Sequence, residues 1–165
     1  MWVYDAGMSG RIQRAAAWVI LAACLAGVPG CNRGKPQVRI GSRLWLVELA
    51  TDEATRNRGL GGRHEIPAGR GMLFVFPQER EVNFHMLDCH VPIDVAFINA
   101  GLRIVEVRSM GVEDDPADPK ALYPSKAPVL YALELAGGEL ARTGVKVGDT
   151  VELLGPAATA ADRAK

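Results

Sequence analysis

Between Phe84 and Phe97 the chain gathers most of its reactive side chains, in the run Phe84-His85-Met86-Leu87-Asp88-Cys89-His90-Val91-Pro92-Ile93-Asp94-Val95-Ala96-Phe97. Two of the three histidines lie here, with two aspartates and the one cysteine beyond the N-terminal apolar segment. Imidazole, thiolate and carboxylate are donors for zinc and copper, so His85, Cys89 and His90, with Asp88 beside them, make a candidate metal site. On a strand His85 and Cys89 share a face while His90 points away, so such a site requires a bend near Cys89. Elsewhere only His64 remains as a nitrogen ligand. A thiol nucleophile is the second option, with His85 or His90 as the base for Cys89, and it needs a depressed thiol pKa. A buried, inert cysteine that packs as a small hydrophobe fits the same residues. The third option is a small-ligand pocket to which His85, Asp88, Asp94, Tyr123 and Ser125 supply the polar groups. Asp94 has a structural alternative, because an aspartate just after a proline often holds loop backbone. Tyr123-Pro124-Ser125 likewise reads as a turn.

The elements that would position these residues are short and mostly extended. Gln37 to Ile40 and Arg43 to Leu49 are strand-like runs around Gly41-Ser42, a hairpin signal, with Trp45, Val47 and Leu49 on one face. Thr51 is placed to cap a helix over Asp52 to Arg58, acidic at its start, basic at its end and stopped by Gly59. Strands are expected at Met72 to Phe76, ended by Pro77, and at Val82 to Met86. Ile93 to Ile98 and Arg103 to Val107 make a hairpin around Asn99-Ala100-Gly101. Val129 to Leu135 is a further strand, Gly138 to Arg142 a helical turn, and Thr150 to Leu154 the last strand. The pattern predicts a mainly β, β-rich α+β domain over 38–154, a single barrel or sandwich of about seven to eight short strands with one or two short helices. A flexible tail is expected over 155–165.

Two loops invite a ligand and lack the pattern for one. Gly59-Leu60-Gly61-Gly62-Arg63 follows a helix rather than a strand and has no subsequent Gly-Lys-Ser/Thr, so it is not a phosphate cradle. Glu113-Asp114-Asp115-Pro116-Ala117-Asp118 is acidic, yet it has neither the alternating ligands nor the closing glutamate of a calcium loop. No cofactor is expected, zinc or copper at His85, Cys89 and His90 being the alternative.

The N-terminus points to export. Ala15 to Val28 is an apolar run of fourteen residues preceded by Arg11 and Arg14, short of the roughly twenty that a membrane span needs. It matches the apolar core of a secretory signal. Leu25-Ala26-Gly27-Val28-Pro29-Gly30-Cys31 resembles a lipoprotein signal that would place a lipid on Cys31, although Leu21-Ala22-Ala23-Cys24 is a competing box. Residues 1–31 are therefore expected to be a signal and 32–37 a tether, with the domain in the periplasm or at the cell surface and the membrane as a partner through Cys31. Lys+Arg and Asp+Glu both total 19, so the formal net charge is zero. That balance provides no broad field for phosphates and argues against a nucleic-acid partner.

Several motifs recur together in a known order. Arg58-Gly59-Leu60, Gly71-Met72-Leu73-Phe74-Val75-Phe76, Phe84 to Phe97, Tyr123-Pro124-Ser125, Tyr131-Ala132-Leu133-Glu134-Leu135 and Gly144-Val145-Lys146-Val147-Gly148-Asp149 form a set. It resembles the bacterial and archaeal family catalogued as domain of unknown function 192, over about Val38 to Leu153. The resemblance implies a compact β-rich fold and no established activity. Members commonly read Phe-Trp-Met-Lys-Asn-Thr before a Pro-Leu-Asp step. Here His85 stands for the tryptophan, Leu87 for the lysine, Asp88 for the asparagine and Cys89 for the threonine. The expectation is a non-enzymatic envelope domain that binds a small ligand or another envelope protein. A metal-binding or thiol-dependent enzyme centred on His85, Asp88, Cys89 and His90 is the alternative.

Overall fold

A hairpin, then a crossover, sets the direction of the sheet. In the computed structural model, which describes residues 34–163, β1 (Gln37–Ile40) and β2 (Arg43–Ala50) pair antiparallel. Gly41 takes a φ of 56° in the turn between them, which glycine adopts without strain. The chain then passes through α1 (Glu53–Arg58) and returns as β3 (Arg70–Arg80), parallel to β2. Parallel neighbours need such a crossover. Asp52 rather than Thr51 caps α1, its Oδ1 accepting from the Thr55 N–H at 2.8 Å. The N-terminal segment with Cys24 and Cys31, on which the export and lipidation expectations rest, lies outside the described residues.

The remaining strands are β4 (Asn83–Phe84), β5 (Ile93–Ile98), β6 (Ile104–Met110), β7 (Tyr123–Pro124), β8 (Val129–Ala136) and β9 (Val151–Leu154), with helices α2 (Glu139–Thr143) and α3 (Pro156–Asp162). Seven strands form one sheet in the order β6-β5-β8-β3-β2-β1-β9, and β4 pairs with β7 as a separate ribbon. The sheet curls until its two edges meet at one end. There Arg103 bridges Thr150, Ile104 N–H donates to Asp149 O, and Val151 N–H donates to Leu102 O. The mainly β expectation holds, in the form of a seven-stranded sheet curled into a half-barrel.

The central strands β3, β5 and β8 are covered on both faces, which is why they read as continuous apolar runs. One face sends Leu73, Val75, Ala96, Ile98, Leu133 and Leu135 into a cluster with Trp45 and Leu140. The other sends Met72, Phe74, Phe76, Val95, Phe97 and Ala132 against Leu60, Phe84 and Met86. The crossover after α1 and the β4–β7 ribbon thus roof the second face.

Three boundaries differ from expectation. β3 runs through Pro77 instead of stopping there, and its ladder to β8 is interrupted between Val75 and Arg80. A proline, with no N–H to give, is tolerated at such an interruption. The strand expected at Val82 to Met86 shrinks to Asn83–Phe84 because the chain turns away at residues 86–89. Within the stretch expected as a flexible tail, 155–165, the described residues 156–162 form a helix. Pro156 opens α3, and Ala157 and Ala161, four residues apart on one face, are buried in the first cluster. Their small side chains let the helix seat closely on the core.

Candidate functional site

The bend that a metal site would require is present, but it does not gather the ligands. Asp88 adopts a φ of 54°, and Cys89 N–H closes a turn onto Met86 O at 3.1 Å. His90 leaves the turn on the side of His64, and the two rings stack with centroids 4.4 Å apart and planes 17° from parallel. Its Nε2 lies 3.2 Å from Asp88 Oδ1. His85 is exposed, and its Nδ1 accepts from the Leu87 N–H at 3.2 Å. Among the described residues no group of three or more His, Cys, Asp and Glu side chains is placed to hold a metal ion. The acidic loop engages its own backbone instead, with Glu113 accepting from Ala121 N–H and Asp115 from Ala117 N–H.

Cys89 is buried, and burial pushes its thiol up to about 11, with the Glu134 and Asp88 carboxylates adding to the effect. At pH 7 only about one sulfur in ten thousand would then be thiolate, opposite to what a nucleophile needs. Asp94 and Ser125 turn inward. Asp94 accepts from the Ser109 hydroxyl at 2.7 Å and from the Leu140 N–H at 2.9 Å. Ser125 Oγ accepts from Val82 N–H at 3.2 Å and donates to Ala127 O at 2.7 Å. Both are buried with these bonds made, so each joins chain segments.

The cavity lies next to this turn, on the second face of the sheet. It encloses about 390 Å³ between α1, the outer half of β3, β4 and the turn after it. Ligand pockets commonly span roughly 300–1,000 Å³. Phe74, Phe76, Phe84, Leu60 and Leu87 form the apolar walls. Phe74 and Phe84 meet edge to face at 5.0 Å, and Phe84 meets Phe97 in the same way at 5.4 Å, so the wall is braced from the core. Of the residues singled out in the sequence, His85 and Cys89 line the cavity, whereas Asp88, His90, Asp94, Tyr123 and Ser125 do not. Leu87 lines the cavity beside His85 and Cys89.

The floor carries a residue the motif survey passed over, Glu134. It sits on β8, on the same face as Ala132, and is 4% exposed. Its Oε2 accepts from the Leu60 N–H at 3.3 Å, while Oε1 has no hydrogen-bond partner among the described residues. Burial pushes the carboxyl up to about 8, against the opposing pull of the Leu60 N–H and the Arg63 guanidinium. At neutral pH it is therefore mostly protonated, a hydrogen-bond donor at the bottom of the cleft. Arg63 itself is held away in a forked pair with Glu48, two bonds of 2.8 Å. Gly59 makes room for the carboxyl, since a Cβ there would stand 3.2 Å from Glu134 Oε2 and 3.3 Å from the Phe74 ring. A signal for Glu134 was present in the sequence. It is the one charged side chain within the otherwise apolar run Val129 to Ala136, in a strand buried on both sides.

At the mouth stand Arg56, Arg58 and Arg80, with the carboxylate of Glu53. Arg56 is partly fixed, its Nη1 donating to Thr51 O at 2.7 Å and Val75 O at 3.2 Å. Its guanidinium carbon lies 6.0 Å from the Phe76 ring centroid, and that of Arg80 lies 5.7 Å from the same ring. Among the described residues none of the three forms an ion pair with a carboxylate, whereas Arg39, Arg63, Arg108 and Arg142 each do. Chemically the site offers a neutral acid at the floor, aromatic walls and, at the entrance, guanidinium groups without a carboxylate ion pair.

The fold has solved relatives. A crystal structure of a "putative transcription regulator" from Sinorhizobium meliloti 1021 is 33% identical, with a TM-score of 0.67, over 74% of this chain and 95% of that one. A protein of unknown function from Novosphingobium aromaticivorans DSM 12444 is 31% identical, with a TM-score of 0.63, over 71% of this chain and 82% of that one. No curated protein matches the chain. Residues 37–153 match the model of DUF192, described as Uncharacterized ACR, and the chain belongs to that family.

Proposed function

We propose that this protein is a non-enzymatic small-molecule-binding domain, exported and tethered to the membrane through Cys31, whose ligand enters the cavity above Glu134. The observation that carries this reading is the Glu134 carboxyl itself. Glu134 is 4% exposed, with Oε2 bound to the Leu60 N–H and Oε1 open to the cleft. It is retained here at the floor of the described cavity, where a ligand acceptor would complete its hydrogen bonding. The non-enzymatic part rests on the chemistry around it, a protonated thiol that nothing in the lining activates. The regulator name of the Sinorhizobium relative is not carried over. The longest helix among the described residues has seven residues, and the net charge of zero offers no broad field for a nucleic-acid backbone.

Chemical-shift mapping of the isotope-labelled full chain against a library of small molecules of mixed charge tests the binding reading. Hits are expected to move the amide signals of Gly59, Leu60, Phe74 and Glu134. A library whose hits all map elsewhere, or which yields none, removes the reading. The tether is tested separately by expressing the full chain in a bacterium that carries the lipoprotein pathway. The wild-type protein is expected in the membrane fraction with a lipid-sized mass increment on Cys31, and Cys31→Ser is expected to lose both. Equal fractionation of the two forms would rule out lipidation at that position.

A further inference from the structure

The lining of the cavity also selects a ligand class, an inference that rests on the binding reading above. Three arginines face one exposed carboxylate, Glu53, at the mouth, so the entrance is net positive. Some surface arginines are paired with carboxylates, such as Arg39 with Glu152 at 2.9 Å and Arg142 with Glu139 at 2.6 Å. Those at the mouth form no direct ion pair, and two of them, Arg56 and Arg80, lie over the buried Phe76 ring. Guanidinium groups held this way keep their forked donors free for a carboxylate or a phosphate. About 390 Å³ lies between this mouth and the carboxyl at the floor, walled by Phe74, Phe84 and Leu60.

We propose that the cavity binds a small organic anion with an apolar body, its charged end held by Arg58 and Arg80 and a hydrogen-bond acceptor at its far end received by Glu134. The fixed Arg56 guanidinium orients the entrance and contributes charge. A cationic ligand would meet three guanidinium groups on the way in. A purely apolar ligand would leave both Glu134 Oε1 and the free arginine donors without partners. A free acid and a phosphate ester share the required chemistry, and the probes below separate them.

The test uses the full chain with three probes that share one body: 4-acetylbenzoate, 4-acetylphenyl phosphate and the neutral 4-acetylbenzamide. Dissociation constants are read by calorimetry, and contact residues by chemical-shift mapping, at pH 6.5 and low salt. At least one anion is expected to bind about tenfold or more tightly than the amide. The stronger of the two anions identifies the headgroup. The double variant Arg58→Gln/Arg80→Gln, both exposed positions, is expected to bring the anion down to the affinity of the amide while leaving the amide unchanged. Should the amide bind the cavity as tightly as the anions, the anion class is wrong while the binding reading stands. Anions that bind with undiminished affinity to the double variant would equally overturn the assignment. If no probe moves a cavity signal, the proposal falls, and the mixed-charge library decides the binding reading independently.

Discussion

Replacing Glu134 with glutamine is expected to flatten the dependence of stability on pH between about 4.5 and 8. The carboxyl keeps its proton in the folded protein up to about pH 8, whereas in the unfolded chain it loses it near the ordinary value of 4.5. Between those values the folded state binds one more proton than the unfolded state, so stability falls as pH rises. The contribution is fully present below pH 4.5 and fully lost above the folded value. At about 1.4 kcal/mol per pH unit the wild-type protein should lose roughly 5 kcal/mol across the window. That is a large part of the stability of a domain this size. Glutamine keeps an acceptor for the Leu60 N–H and has no proton to lose. Urea unfolding of both proteins at pH 5, 6, 7, 8 and 9 reads the effect directly. Parallel curves for the two would mean that Glu134 is not the buried acid described, and the floor of the cavity would need another account.

Much of the scaffold behind this carboxyl could be read from residue patterns. The Gly41-Ser42 turn, the alternation of Trp45 and Val47, and the acidic-to-basic order of α1 closed by Gly59 each encode a local structure. Local physics suffices where the partner is a near neighbour in sequence. The cavity is different, because its parts come from α1, β3, β4 and β8 and meet only when β3 settles between β2 and β8. The density of reactive side chains between Phe84 and Asp94 drew attention to a turn whose histidines diverge, His85 toward the cavity and His90 onto His64. Glu134 belongs to the Tyr131-Ala132-Leu133-Glu134-Leu135 motif, and its meaning lies in the contrast with its apolar neighbours rather than in any spacing. The Ala-rich end misled for the opposite reason. Ala157 and Ala161 are weakly hydrophobic, yet their smallness is what allows α3 to pack.

Asp94→Ala is expected to destabilise the fold by roughly 3 kcal/mol, an effect that a ligand-contacting aspartate at a pocket edge would not produce. α2 begins without a side-chain cap of its own, because its N-cap position is Gly138. Asp94 reaches it from β5, and Oδ2 accepts the Leu140 N–H at 2.9 Å inside the first core cluster. Its Oδ1 binds the Ser109 hydroxyl on β6 at 2.7 Å, so one carboxyl joins β5, β6 and the start of α2. Alanine removes both acceptors and leaves the Leu140 N–H buried without a partner. Asparagine retains an acceptor for Leu140 and can donate its amide to the Ser109 oxygen, so Asp94→Asn should cost about 1 kcal/mol. Thermal and urea unfolding of the two variants distinguish the roles. A near-normal alanine variant would show that α2 finds another cap, and Asp94 would return to the list of residues free to serve a ligand. A strongly destabilised alanine variant with a mild asparagine one would establish that the Pro92-to-Asp94 step is how this fold anchors the helix between β8 and β9, leaving Glu134 as the buried carboxyl available to the cavity.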